Sequence, residues 1–170
     1  MRHPKDFAIK AHGNQMYGNL PYKHHLVDVA AIAEKNCHLI TDDNIERAVL
    51  ISAAWLHDVL EDTAVKYKTL RYYFGKNVAD LVSAVTDEPG KNRKERKAKS
   101  LPKIRSFGKE AVFIKLCDRL ANISSCINNN SDLLQMYSKE HKQFVEALYD
   151  KRDGLGDLWD ILSQIMRKHV

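Results

Sequence analysis

AVLISAAWLHDVLED, residues 48–62, is apolar almost without interruption from Ala48 to Leu56 and then turns to His57, Asp58, Glu61 and Asp62. The apolar run is too short to span a bilayer and reads as a helix buried on most sides. Thr41 is its expected N-cap, with Asp42 and Asp43 well placed in the first turn, and the helix is expected to run to about Leu60. A helix buried that deeply should not end in ionisable groups without a partner, because burying unpaired carboxylates is very costly. A cation is the obvious partner. His57 and Asp58 offer an imidazole nitrogen and a carboxylate oxygen, a set that suits Mn, Fe, Zn or Mg. Glu61 lies one turn beyond His57 and Asp62 one turn beyond Asp58, where both could handle a proton from bound water. The plain alternative is a solvated helix end carrying a neutral histidine.

Outward from that stretch, helical period dominates. Pro4 opens a helix to about His12; Gly13, Gly18, Asn19 and Pro21 mark a loop; a second helix covers about Tyr22 to Asn36, with Leu26, Val29, Ala30 and Ala33 on one face. A short helix from Thr69 is stopped by Gly75, and another covers Asn77 to Asp87. Arg93 to Phe107 is expected to be helical but bent or broken at Pro102. Glu110 to about Cys126 is helical, Asn128 to Asn130 break the chain, and Ser131 caps a helix to about Tyr149. After a break at Asp153 to Gly156, the last helix covers Asp157 to Lys168. The expectation is an all-α single domain over residues 1–170, a bundle of about seven to nine helices.

Composition fits that frame. The 170 residues are 44% hydrophobic and 29% charged, and the 7 Gly and 4 Pro are few for an all-β chain. The net charge of +5 suggests an anionic partner without choosing among nucleotide, nucleic acid and lipid surface. Cys37, Cys117 and Cys126 form no CxxC and sit in apolar segments, so they are expected to be reduced core thiols of a cytoplasmic protein. The first residues, MRHPKDFAIKAHG, lack the apolar stretch of a signal peptide.

Three further segments carry chemistry. In FIKLCDRLANISS, Lys115, Asp118, Arg119, Asn122 and Ser125 share an arc of roughly 120°. That arc is either an amphipathic surface face or a cleft wall, with Asp118 on a metal and Asn122 and Ser125 on a ligand. Pro21-Tyr22-Lys23-His24-His25 sets two histidines near a helix start, a weak ligand signal alone. Lys91 to Arg105 holds eight basic residues against one acidic residue. It is either a solvated face or a phosphate-binding surface, and it lacks the interleaved aromatics that stack on single-stranded nucleic acid.

Four blocks, AHGNQMYGNLPYKHHLVDVA (11–30), AAWLHDVLEDT (53–63), VTDEPGKNRKERK (85–97) and VFIKLCDRLANI (112–123), together resemble the HD superfamily. Within it they resemble the hydrolase domain of RelA/SpoT-type enzymes and the small alarmone hydrolases. The resemblance implies one divalent ion, expected to be Mn2+, on His25, His57, Asp58 and Asp118; His25 is preferred to His24 by the spacing from Pro21. It implies that Glu61 and Asp62 position and deprotonate the attacking water. It also implies that Asn122 and Ser125 contact the nucleotide sugar and that Lys97, with Arg93 nearby, meets phosphates. The implied reaction removes the 3′ pyrophosphate of guanosine 3′,5′-bis(diphosphate). A nucleotidase or phosphodiesterase acting on another nucleotide is the enzymatic alternative, and a non-catalytic nucleotide- or nucleic-acid-binding module the other.

The chain departs from the family where Met16-Tyr17-Gly18-Asn19-Leu20 stands in place of the Arg-Lys pair that packs on the guanine base. Tyr17 is then the residue left to stack on a base. Ala121 and Leu26 also replace residues that the family favours, a larger polar or aromatic residue and a proline.

Overall fold

The computed structural model describes residues 3–129 and 131–169. Pro4 occupies the first turn of α1 (Pro4–His12), where its missing N–H costs nothing, and the helix stops at Gly13 with φ 55. The expected loop contains a small antiparallel pair, β1 (Met16–Tyr17) and β2 (Leu20–Pro21), which turns at Gly18-Asn19. In α2 (Lys23–Asn36) the predicted face, Leu26, Val29, Ala30 and Ala33, is buried, and His25 is buried beside it. His24 is exposed, so it does not support the site as a neighbour of His25.

The helix carrying the decisive stretch differs from expectation at both ends. α3 (Asn44–Leu56) is capped by Asp43, whose Oδ1 accepts from the Ile45 and Glu46 N–H groups at 2.8 Å. A carboxylate is the stronger acceptor, and Thr41 instead accepts from the Asp43 N–H. The helix does not continue to Leu60. Asp58 sits at φ −99, ψ −3, and a separate single turn, α4 (Val59–Asp62), follows. The His57 Nδ1–H donates to the Ala54 carbonyl at 2.8 Å, the acceptor that an uninterrupted helix would give to the Asp58 N–H.

Gly75 marks a kink inside α5 (Tyr67–Val85), at φ 84 and ψ 171, a backbone setting that favours glycine. α6 (Arg93–Phe107) runs through Pro102 unbroken. The carbonyl that loses its partner there belongs to Ala98, which is exposed, so water can satisfy it. α7 (Lys109–Asn128) ends one residue before Asn129; Asn130, expected in the same break, lies outside the described residues. The Ser131 hydroxyl accepts from the Leu133 N–H at the start of α8 (Leu133–Leu148), and α9 (Gly156–His169) closes the chain.

α7 is the central helix. It buries Phe113, Ile114, Leu116 and Ile123 completely and packs against α2, α3, α5, α6, α8 and α9. Each such side chain contributes about 1.5–3 kcal/mol of burial. The three cysteines are free and buried. Among the described residues no helix is long and apolar enough to cross a membrane. The all-α bundle is as expected, and α2, the α3–α4 junction and α7 meet around one cleft.

Candidate active site

Four polar side chains from three parts of the chain converge at the closed end of that cleft. His25 Nε2 lies 3.2 Å from His57 Nε2, 3.6 Å from Asp58 Oδ2 and 3.4 Å from Asp118 Oδ1. His57 Nε2 lies 2.8 Å from Asp58 Oδ2 and 3.8 Å from Asp118 Oδ1. Both histidines are 2% exposed, so these groups meet largely out of water.

The donor set fits a divalent metal ion. The His57 proton is held on Nδ1 by the Ala54 carbonyl, so Nε2 presents its lone pair to the cluster. Burial alone would lower the His25 pKa, yet hydrogen bonds to Asp118 and Asp58 push it up to about 9. The two carboxylates therefore demand positive charge at this point, which a cation satisfies as a proton does. Burial would raise the Asp118 carboxyl, but Lys115, His25 and His57 hold it well below the carboxylate range. Asp58 is likewise held low against its burial, chiefly by His57 and His25.

A second layer fixes these donors. The Tyr22 hydroxyl donates to Asp58 Oδ2 at 2.5 Å, and His12 stacks on the Tyr22 ring at 4.4 Å. Lys115 Nζ donates to Asp118 Oδ2 at 2.7 Å, and Asn122 Nδ2 donates to Asp118 Oδ1 at 2.5 Å. Such partners orient ligands and fix which atoms face an ion. The polar arc of α7 includes Lys115, and Tyr22 follows Pro21 at the start of α2, but neither spacing announces the carboxylate that each side chain holds.

Glu61 and Asp62 line the open side. Glu61 Oε2 accepts from the Asp87 N–H at 3.0 Å, and burial of its carboxyl raises its pKa. Asp62 Oδ2 accepts from Gln15 Nε2 at 2.9 Å, and His12 Nδ1 donates to Gln15 Oε1 at 2.8 Å. Gln15 lies in the first of the four matching blocks, and nothing in its spacing announces its hold on Asp62.

Of the residues expected at the substrate, Tyr17, Arg93, Lys97 and Asn122 line the cleft, and Ser125 does not. The Ser125 hydroxyl is shared with Asn129 Nδ2 at 3.2 Å, one turn beyond Asn122. Tyr17 is not a free platform for a base. Its ring stacks on His25 at 4.7 Å and its hydroxyl donates to Asn122 Oδ1 at 2.7 Å, because the β1–β2 turn folds it onto the cluster. Lys97 is bound to Asp87 at 2.8 and 3.0 Å, and Arg93 makes a two-pronged bond to Glu140. Asp87 and Glu140 left no signal in the sequence. The cleft is open to solvent and bounded by residues of α2, α6, α7 and α8.

Comparisons with known proteins bear on the family and the fold. A family model described as HD domain matches residues 5–155. A Drosophila melanogaster protein named guanosine-3′,5′-bis(diphosphate) 3′-pyrophosphohydrolase MESH1 is 34% identical over 150 residues, covering 87% of this chain and 80% of that protein. A Danio rerio protein of the same name is 32% identical over 121 residues, covering 69% of this chain and 64% of that one. The solved structure of a protein described as a metazoan ortholog of SpoT that hydrolyses ppGpp superposes with a TM-score of 0.80 at 27% identity, covering 97% of this chain and 92% of that one. With a family match across most of its length and a relative of this similarity over most of both chains, the chain belongs to the HD domain family.

Proposed function

We propose that this chain is a metal-dependent phosphohydrolase that removes the 3′ pyrophosphate of guanosine 3′,5′-bis(diphosphate), with Mn2+ held by His25, His57, Asp58 and Asp118. The observation that carries this reading is the convergence of the His25, His57 and Asp58 ligand atoms within 4.8 Å of one another, with Asp118 Oδ1 3.4 Å from His25 and 3.8 Å from His57, beside the raised carboxyl of Glu61. The names of the relatives support the choice of substrate.

When bound, the divalent ion makes water a stronger acid and polarises a phosphoryl oxygen. Glu61 takes the proton of the attacking water, a role that its raised pKa suits at neutral pH. Asp62, held by Gln15, accepts the other hydrogen of that water and orients it. Water adds to the phosphorus on the ribose 3′ oxygen, the bond from phosphorus to that oxygen breaks as Glu61 returns its proton to it, and the nucleotide with a free 3′ hydroxyl and pyrophosphate leave. Lys97, Arg96 and Lys115 neutralise charge that grows on the phosphoryl oxygens. The Asn122 side chain contacts the sugar once its amide oxygen releases the Tyr17 hydroxyl.

One observation favours a second reading, a nucleotidase or phosphodiesterase acting on another nucleotide. Tyr17 is folded onto His25 and the Arg-Lys pair is absent, so the base side of the cleft has no dedicated guanine clamp. A panel of nucleotides incubated with Mn2+ separates the two. Pyrophosphate released from the alarmone alone supports the first reading; phosphate released from other nucleotides, with the alarmone intact, overturns it.

A further inference from the structure

Where α8 lines the cleft it contributes a carboxylate that a phosphate-binding surface would not be expected to carry. Glu140 sits on α8 and lines the cleft. Its Oε1 accepts from Arg93 Nε at 2.6 Å and its Oε2 from Arg93 Nη2 at 3.1 Å, a fork-to-fork pair. Arg119 Nη1 adds a third contact at 3.4 Å. Both guanidinium groups lie over the Tyr137 ring, at 5.7 and 4.5 Å, and Arg119 also lies over Phe144 at 4.8 Å. Arg119 is 5% exposed and Tyr137 is 9% exposed, so this corner is built rather than incidental.

Arg93 and Lys97 stand one turn apart on α6, roughly 5–6 Å between their Cβ atoms. That separation is comparable to the span of a ribose ring between its 3′ and 5′ oxygens. With the scissile group beside Lys97 and the metal cluster, Arg93 faces whatever the substrate carries on the other side of the sugar. Its charge there is already met by Glu140.

We propose that Glu140 is a specificity-determining residue, which occupies Arg93 and Arg119 and so sets how much negative charge the substrate can carry at the group remote from the scissile phosphate. This rests on the hydrolase reading for the direction in which the substrate lies. A remote phosphate must displace the Glu140 carboxylate from Arg93 or lie beside it, and each added charge raises that cost. Glu140 therefore disfavours a 5′ triphosphate relative to a 5′ diphosphate. A neutral side chain of the same shape removes the penalty and frees the arginine fork.

The test measures dissociation constants for guanosine 3′,5′-bis(diphosphate) and for its 5′-triphosphate counterpart, with Mn2+ present and Glu61→Gln added to each protein so that the ligand is not consumed, while KM is read with Glu61 intact. It compares wild type, Glu140→Gln, Arg93→Gln and the double variant, with KM for both compounds read alongside. Thermal melts identify any variant that has lost its fold, and Arg93→Gln, which leaves Arg119 paired with Glu140, is the milder of the two single changes. The expected result is that Glu140→Gln tightens the triphosphate about tenfold more than the diphosphate. The double variant loses that gain, which assigns it to the freed Arg93. Equal effects on both compounds, or weaker binding of the triphosphate by folded Glu140→Gln, would overturn the proposal. Binding is read independently of turnover. If no pyrophosphate is released but the ratio changes as described, the hydrolase reading fails and the role of Glu140 stands; release with an unchanged ratio is the reverse.

Discussion

The two ends of the cleft solve opposite charge problems. At the histidine end, Asp58 and Asp118 lie beside two buried imidazoles and leave a deficit of positive charge. At the α8 end, Arg93, Arg119 and Glu140 satisfy one another within the protein. Between them Lys97 and Arg96 share Asp87. Among the described residues, six carboxylates and five lysine or arginine side chains line the cleft, and the proton that His25 holds up to about pH 9 brings the lining close to neutral before any ion binds. A basic chain has thus built a cleft that is not basic. The comparison teaches that a divalent ion would do more than chemistry here: taking the place of the His25 proton, it would tip a near-neutral lining to positive and make a polyanion welcome.

The largest effect is expected from breaking the histidine end. His57→Ala should remove bound metal and lower turnover by about 10³-fold or more; elemental analysis and a pyrophosphate-release assay read the two losses. Full activity in a metal-free His57→Ala protein would end the comparison. Glu61→Gln should keep the metal and lose about 10²–10⁴-fold in kcat. Glu61 works deprotonated and its carboxyl is held above the ordinary glutamate range. Wild-type kcat should therefore fall as pH drops through that raised value, and the residual rate of Glu61→Gln should lack that limb.

Chelation sharpens the comparison from the other side. Removing the ion should weaken nucleotide binding about tenfold or more, as well as stopping turnover, because the cleft loses its excess of positive charge and returns to a near-neutral lining. Calorimetric titration before and after chelator reads this, and unchanged affinity would show that the ion has no part in attraction. The melting temperature should fall as well, since an ion present at 100 times its dissociation constant adds about 2.7 kcal/mol of stability.

Lys97→Ala tests the middle of the cleft. KM is expected to rise about tenfold with metal content unchanged, and an unchanged KM would reduce the basic helix to a solvated face. The smallest effect concerns acid stability. Burial would raise the Asp87 carboxyl, but Lys115 and Lys97 hold it below its ordinary value of 3.8. Its contribution is thus present above that value and lost as pH falls through the lower folded one, so Lys97→Ala should flatten the dependence of melting temperature on pH in that acid range.

Much of the bundle was legible because helix periodicity and end signals are local. Pro4, Gly13 and Gly75 mark boundaries through their own backbone preferences, and the apolar faces of α2 and α7 follow from spacing alone. The break at Asp58 was not legible, because it depends on a side chain competing for a main-chain acceptor. His57, Asp58 and Asp118 stood out as polar residues in apolar surroundings. Glu140 did not, because its partners Arg93 and Arg119 lie 47 and 21 positions away and nothing on α8 announces them. Tyr17 was read as a platform for a base because a sequence does not say which face of a ring is covered.

The interruption after Leu56 has a geometric consequence. On a continuous helix adjacent side chains diverge by about 100° and could not grip one small object together. Here His57 keeps helical angles, Asp58 departs from them at φ −99 and ψ −3, and their Nε2 and Oδ2 atoms come to 2.8 Å. A dipeptide thereby acts as a pincer, and a substitution that healed the helix through residue 58 would pull one jaw away while leaving both residues in place.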